Sequence, residues 1–393
     1  MKKTILIFIG GYLPGKKYGG PVTSIENFTN QMCDTYNIRI VCNDHDFKDS
    51  TRYENISDGW NTVGNAQVYY TNERDYNYIA FRKLIEPFAN DVELIYLSGI
   101  YYIKMNYAAI KVGRNFGIPV VLAPRGDLMK STIAMKSNSK MLKKRVFLHI
   151  AKMFNIFSDV TFQATSDEEK LGLNHYLDVN DKRIFLLPNL PVMKHERASY
   201  VKQENEINIL FLSRLMIKKN PYYALEIVRE MSDKYKVSFD IYGPNEDQDY
   251  WSQCEVLIKK INNSKPNINI TYRGSLNPED AKLIYDKYDC FLFPTVSENY
   301  GHVIVESMFS NCPVVLSKGT TPWDDYGNKA GFVIPMDDRK QFTESLEHIA
   351  EMNNNDYQQL IKRNQEYVEK KFQVEKLKRQ YTDLIEYLGK DIK

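Results

Sequence analysis

The chain of 393 residues has little that would mark it for a membrane, an oxidising compartment or a metal. No window approaches the roughly 18 to 20 uninterrupted apolar residues of a membrane-crossing helix, so any business with a membrane would be done from its surface. Five cysteines (Cys33, Cys42, Cys254, Cys290, Cys312) lie far apart, form no C-x-x-C pair and are odd in number. A reducing, cytoplasmic setting is the simplest reading. Six histidines show neither H-x-x-x-H nor H-E-x-x-H, which leaves zinc without a ligand spacing. A G-x-G-x-x-G after a strand is also missing, and with it the support for a dinucleotide site. The formal net charge of +2 is too small to argue for nucleic acid. Neither a short repeat nor a low-complexity tract is visible. The opening MKKTILIFIGGYLPGKK imitates a signal peptide, but its apolar run is too short to span and has no A-x-A site, so it reads as a first buried strand.

What is present is an ordinary globular composition, 43% hydrophobic and 26% charged, with enough length for two domains. Short β-branched runs alternate with longer helical segments, the pattern of parallel sheets with crossover helices. One series of strand candidates starts at Thr4, Ile38, Ala66, Glu93, Pro119, Val160 and Arg183, and a second at Ile207, Val237, Ile268, Cys290, Pro313 and Gly331. The restart predicts an α/β fold of two doubly wound, Rossmann-like domains. A linker is expected within residues 187–206, where prolines and polar residues replace the periodicity. The first domain is expected over residues 1–190 together with a C-terminal helix from about 373 to 393, and the second over 191–372. From about Asp356 onward a charged helical segment carries the stripe Tyr367, Phe372, Leu377, Tyr381, Leu384 and Leu388, which needs a surface to bury it. Residues just past each strand deserve inspection, because open α/β sheets bind ligands there.

The most informative stretch is FPTVSENYGHVIVESMFSNCPVVLSKGTTPW. Glu298 falls in a loop after a strand and Glu306 inside the helix that starts near Gly301. A carboxylate so placed can accept hydrogen bonds from sugar or ribose hydroxyls, and the backbone N–H groups of Asn299, Tyr300 and Gly301 can meet an anion at the helix start. This segment closely resembles the E-x7-E motif of family 4 retaining glycosyltransferases. LFLSRLMIKKN is similar to that family's R-x4-K motif, which implies that Arg214 and Lys219 neutralise a departing diphosphate. Where the family usually has Gly after the Lys, this chain has Asn220, so the helix start is expected to be shaped differently.

The resemblance extends to the first domain. GGYLPGKKYGGPVTSIENF looks like the family's N-terminal loop, in which Gly19 and Gly20 let the backbone approach phosphates or acceptor before a helix begins near Pro21. VVLAPRGDLMK resembles a bacterial subgroup, and places Arg125 where many relatives have a His near the donor sugar. ITYRGSLN looks like the strand bordering the nucleobase, which makes Arg273 and Gly274 base-pocket candidates. The resemblance therefore implies a GT-B fold with two domains facing across a cleft, a C-terminal helix crossing back to the first, and a nucleotide-sugar donor bound by the second. It suggests a UDP-sugar and a lipid-linked saccharide acceptor of a surface polysaccharide, with no cofactor and no metal. Asp44-His45-Asp46 is a D-x-D, the metal-binding pattern of a different, single-domain fold, and lies ahead of a loop here. A non-hydrolysing sugar-nucleotide epimerase and a non-catalytic acceptor-binding relative remain open alternatives.

One further pattern is independent of the resemblance. Residues 130–158 hold seven basic side chains (Lys130, Lys136, Lys140, Lys143, Lys144, Arg145, Lys152) and no acidic one, interleaved with Met, Leu, Phe and Ile. Such a stretch can lie on an anionic membrane surface, or can pack its apolar side on its own domain. The first 190 residues also carry 24 Lys+Arg against 19 Asp+Glu, the remainder 28 against 31.

Overall fold

The structure is a computed structural model that describes all residues except Met1, Lys16, 130–137, 194–199, 277–279, 281–282 and 391–393, with residues 138–141 described by their backbone alone. The chain forms two compact units, Met1–Pro191 with Val374–Lys393, and Val192–Gln373.

The first unit is built on an eight-stranded sheet of order β3-β4-β2-β1-β5-β6-β7-β8. All six residues of β1 (Thr4–Ile9) are buried. Leu6 and Phe8 enter one apolar cluster, Ile5, Ile7 and Ile9 another, the two-residue period of a strand covered on both faces. β1 runs parallel to β2 (Asn37–Asn43) on one side and β5 (Val92–Ser98) on the other. Beyond β5 come β6 (Val120–Ala123), β7 (Val160–Ala164) and β8 (Ile184–Leu186), all parallel. β4 (Ala66–Thr71) flanks β2, and β3 (Trp60–Val63) pairs antiparallel with β4 at the edge. β3 was not foreseen, because WNTV has no apolar run and is only partly buried.

The Ile5 face of this sheet is covered by helix Gly20–Met32, through Val22, Ile25 and Phe28, and by helix Val374–Lys390, through Leu377, Tyr381, Leu384, Ile385 and Leu388. The C-terminal stripe expected as one helix is thus two. Helix Asn354–Phe372 stays with the second unit and ends at Gln373 in a left-handed conformation (φ 39°), after which the chain continues in the first unit. Tyr381 anchors that last helix with a polar contact: its hydroxyl accepts from Gln163 Nε2 at 2.6 Å and donates to the Pro188 carbonyl at 2.9 Å.

The second unit carries a six-stranded, all-parallel sheet of order β11-β10-β9-β12-β13-β14. Its strands are β9 (Glu206–Leu212), β10 (Lys236–Tyr242), β11 (Ile268–Gly274), β12 (Cys290–Phe293), β13 (Val314–Ser317) and β14 (Phe332–Ile334). From β9 the chain winds outward through β10 and β11, then crosses to β12 on the other side of β9. The crevice where the winding reverses lies between β9 and β12, the place where open α/β sheets hold ligands.

Removing the Tyr381 hydroxyl leaves the buried Gln163 amide short of an acceptor and the part-buried Pro188 carbonyl short of a donor, and an unsatisfied buried group costs about 1–3 kcal/mol. Tyr381→Phe is expected to lower the urea midpoint measurably while keeping the ring's packing. An unchanged midpoint would show that this bond does not hold the terminal helix down.

Candidate functional site

At the switch point of the second unit two loops are sewn together before any charge is considered. Cys290 pairs with Ile209 and Phe291 with Leu210 in the β9–β12 ladder, so the loops leaving β9 and β12 start side by side. The Lys218 carbonyl then accepts from Val296 N at 2.9 Å and from Thr295 Oγ1 at 3.1 Å. Asn220 Nδ2 donates to the Pro294 carbonyl at 3.1 Å. Glu298 N donates to the Thr320 carbonyl at 2.7 Å, which brings in the loop after β13. This bracing delivers Lys219 Nζ onto Glu298 Oε1, in an ion pair whose two side chains are each only 12% exposed.

Asn220 resolves the departure in the R-x4-K segment. It adopts φ 61° and ψ 42°, a left-handed residue closing the 3-10 turn Ile217–Lys219 and opening helix Pro221–Arg229. Glycine is the residue best suited to that conformation, and asparagine is among the few others that visit it readily. Asn220 thus opens the helix in a conformation that a glycine can also adopt, and adds the bond to Pro294. Gly301 plays the matching part at the other loop: it sits at φ 72° before helix His302–Phe309, and a Cβ there would lie 2.7 Å from Ile304 Cδ1.

The remaining predicted residues take separate places. Glu306 Oε2 accepts from the buried hydroxyl of Tyr285 at 3.1 Å. Burial, reinforced by the Glu306 charge, pushes that phenol well above its ordinary range and keeps it a donor. Tyr285 lies 21 residues from Glu306, and no spacing could have flagged it. Tyr300 is buried, with its ring against His302 and Trp323 and its carbonyl accepting from Trp323 Nε1 at 2.6 Å, so its side chain is a wall. Asn299, beside it, is partly exposed. Arg214 follows β9 as expected, but its guanidinium pairs with Glu246 at 3.3 Å. Arg273 reaches back along β11 to Asp240 at 3.1 Å, and Tyr288 donates to the other Asp240 oxygen at 2.8 Å. Gly274 ends β11 with φ 75°.

In the first unit, Gly19 caps helix Gly20–Met32 with φ 71° and Gly20 is its first residue. The preceding glycine pair, which sequence reasoning passed over, has the tighter requirement. A Cβ on Gly10 would sit 2.1 Å from the Tyr102 ring, and one on Gly11 2.0 Å from the Tyr18 ring. Arg125 occupies a left-handed conformation (φ 59°) just past β6. Its guanidinium donates to Tyr96 OH at 2.7 Å, to Ser98 Oγ at 3.4 Å and to Asn189 Oδ1. Tyr96 in turn donates to Gln163, which donates to Tyr381. Arg125 is thus tied into a polar network linking β5, β7, the exit of β8 and the terminal helix. Asp44 meets His45 Nδ1 at 2.7 Å, and Asp46 accepts from the backbone N–H groups of Lys17 at 3.1 Å and Phe47 at 2.8 Å. Among the described residues no cluster of three or more metal-ligating side chains occurs.

The left-handed turn at residue 220 makes a clean test. Asn220→Gly and Asn220→Ala both lose the bond to Pro294, but only Ala places a Cβ in a conformation that costs about 1–2 kcal/mol. In denaturant titrations N220A should be the less stable by about that amount. Equal midpoints would mean that the turn is not what constrains the position.

With this geometry in place, comparison with known proteins is informative. Residues 192–367, nearly all of the second unit, match the family described as Glycosyl transferases group 1. An uncharacterized glycosyltransferase of Methanocaldococcus jannaschii is 27% identical over 121 residues, 31% of this chain and 30% of the relative. An uncharacterized 41.2 kDa protein in the cps region of Klebsiella pneumoniae is 21% identical over 53% of this chain and 57% of the relative. The alignments thus span under two thirds of either relative's length. Among solved structures, Anabaena HepE in complex with UDP and glucose superposes with TM-score 0.68 at 14% identity, covering 98% of this chain and all of that one. Sucrose-phosphate synthase from Thermosynechococcus elongatus gives 0.68 at 13% identity, covering 98% of this chain and 99% of that one. A TarM variant of S. aureus, in complex with Fondaparinux, alpha-GlcNAc-glycerol and UDP, gives 0.68 at 13% identity over the same shares. Likeness at that identity carries the fold, the two-domain α/β GT-B arrangement expected from the sequence. The match to the glycosyl transferases group 1 lies in the second unit, over residues 192–367.

Proposed function

We propose that the protein is a retaining glycosyltransferase that moves a sugar from a nucleotide diphosphate donor, a UDP-sugar, to a saccharide acceptor. The observation that carries this reading is the Lys219–Glu298 pair at the β9–β12 switch point. A cation and a carboxylate held together there offer an arriving donor one group for its diphosphate and one for its sugar hydroxyls. On this reading Arg214 and Lys219 neutralise the diphosphate, Glu306 holds the ribose in place with Tyr285 behind it, and Glu298 with residues 299–301 meets the sugar. Arg273 and Gly274 border the base. The loops of the first unit after β1, through Gly19 and Gly20, take the acceptor, while Arg125 braces the wall behind them.

The chemistry needs no protein nucleophile. The bond from the anomeric carbon to the diphosphate oxygen breaks, the acceptor oxygen bonds to the same face of that carbon, and the leaving phosphate takes the acceptor proton. The chain supplies orientation and positive charge for the departing group. Support for a UDP donor and a hexose or N-acetylhexosamine comes from the ligands in the HepE and TarM structures. Support for a role in surface-polysaccharide synthesis comes from the cps-region relative, and a lipid-linked acceptor is part of the same proposal.

Two outcomes test the reading. Removing one charge-stabilising group commonly costs on the order of 10²-fold or more in rate. Glu298→Ala and the double change Arg214→Ala/Lys219→Ala should each lose at least that much product formation from a panel of UDP-sugars, with folded circular dichroism spectra. Wild-type turnover by either folded variant would sink the assignment, and donor turnover without any acceptor would favour an epimerase. The second outcome concerns metal: with two side-chain cations at the diphosphate and the Asp44 and Asp46 carboxylates engaged within the protein, full activity is expected in EDTA. Activity that vanishes on chelation and returns with Mn²⁺ or Mg²⁺ would overturn metal independence.

A further inference from the structure

We propose that the outward face of helix Asn138–Met153 is a docking surface for an anionic lipid leaflet. A helix on a globular domain normally buries one apolar stripe and turns polar side chains outward. Here Leu148 and Ala151 are buried in the first unit's core, with Phe147 packed partly against it. Lys144 lies on that side too, 3.2 Å from Asp127 and above the Tyr101 ring. At 3.6 residues per turn the opposite side of the helix belongs to Leu142, Val146, Ile150 and Met153. These four are 64, 48, 40 and 60% exposed, and Phe154, just past the helix end, is 68% exposed. Singly exposed apolar residues are common, but a line of four along one face is an interaction surface.

Charge selects the occupant. By the same helical spacing Lys143 lies on one flank of the line, and Arg145 and Lys152 on the other, all three exposed. Lys152 also reaches Asp178 at 3.1 Å, across the exposed flank. Residues 138–158 contain no acidic side chain. An apolar ridge bordered by cations on both sides matches a leaflet whose acyl chains lie beneath negative headgroups. A second copy of this chain fits less well, because like faces would bring Lys143, Arg145 and Lys152 against their counterparts. Lys130 and Lys136 lie outside the described residues, as does the side chain of Lys140, and the proposal does not use them.

The surface belongs to the first unit and its test needs no donor, so it stands or falls apart from the glycosyltransferase reading. The purified full-length chain is sedimented with vesicles of phosphatidylcholine alone or mixed with phosphatidylglycerol. Pelleting with the anionic vesicles only, weakening as salt rises, is expected. Lys143→Gln/Arg145→Gln should weaken the partition roughly thirtyfold, for two cations removed. Leu142→Ser/Val146→Ser should also release the protein, even at low salt, and because all four positions are exposed, both variants should keep the wild-type melting temperature. Equal binding to neutral and anionic vesicles, or unchanged binding of either variant, overturns the proposal. Concentration-dependent self-association that only L142S/V146S abolishes, without vesicle binding, would give the ridge to a second copy and overturn it as well.

Discussion

Lys219 and Glu298 are 79 residues apart and meet because β9 and β12 are parallel neighbours. Everything else at the candidate site follows from that adjacency. Parallel strands present all their carboxyl ends at one edge, and the reversal of winding between β9 and β12 separates the helices that leave them. Open α/β sheets hold their ligands at such a point, and the residues that come next in each strand's chain border it. The pair itself is only 12% exposed on either side, so each charge has given up much of its water. Taking one partner away would leave the other charge stranded, which is far more costly than losing a surface ion pair. On the proposed reading such a site exchanges partners: a phosphate would replace the carboxylate beside Lys219, and hydroxyl groups the ammonium beside Glu298.

The first unit repeats the same logic with different materials. Its winding reverses between β1 and β5, since the chain fills β2 and β4 on one side before crossing to β5. The loops leaving β1 and β5 are pressed together, with the Tyr102 ring lying where a Gly10 side chain would be. That face carries packed aromatic rings and helix-opening glycines where the second unit carries an ion pair. Saccharide rings suit such a surface, whereas a diphosphate needs the cations of the second unit. The division of the chain into two units is therefore also a division of chemical labour on the proposed reading.

Much of this could be seen in the sequence because strands buried on both faces write continuous apolar runs. TILIFI and INILFL announce themselves, and both sheets follow from such runs. The edge strand Trp60–Val63 could not be seen, since antiparallel pairing at an edge demands no such run. At the site, Glu298, Glu306, Arg214 and Lys219 were singled out by the resemblance of their segments to family motifs, and the structure brings Lys219 and Glu298 into contact. Their partners were not: Tyr285 behind Glu306, Glu246 on Arg214 and Asp240 on Arg273 come from distant segments brought close by the sheet. Asn220 shows the converse limit. A residue type that departs from a pattern was expected to change the local shape, and its backbone occupies a left-handed conformation that glycine also visits readily.

Arg125 shows how environment decides a role that position alone cannot. A guanidinium is always charged, and burying it partly, on a left-handed residue, is expensive unless its donors find acceptors. Ser98, Tyr96 and Asn189 provide those acceptors, and Tyr96 passes the connection through Gln163 to Tyr381. The strain at φ 59° is thus held by contacts from β5 and from the chain leaving β8, with Tyr96 linked on through Gln163 to helix Val374–Lys390. A histidine there would satisfy fewer of these acceptors and could not keep a permanent charge among them. The presence of arginine is therefore coupled to the terminal helix: the residue at the mouth of β6 and the helix Val374–Lys390, far apart in sequence, share one hydrogen-bonded network. Loosening that helix would reach the loop after β6 through Gln163, Tyr96 and Arg125.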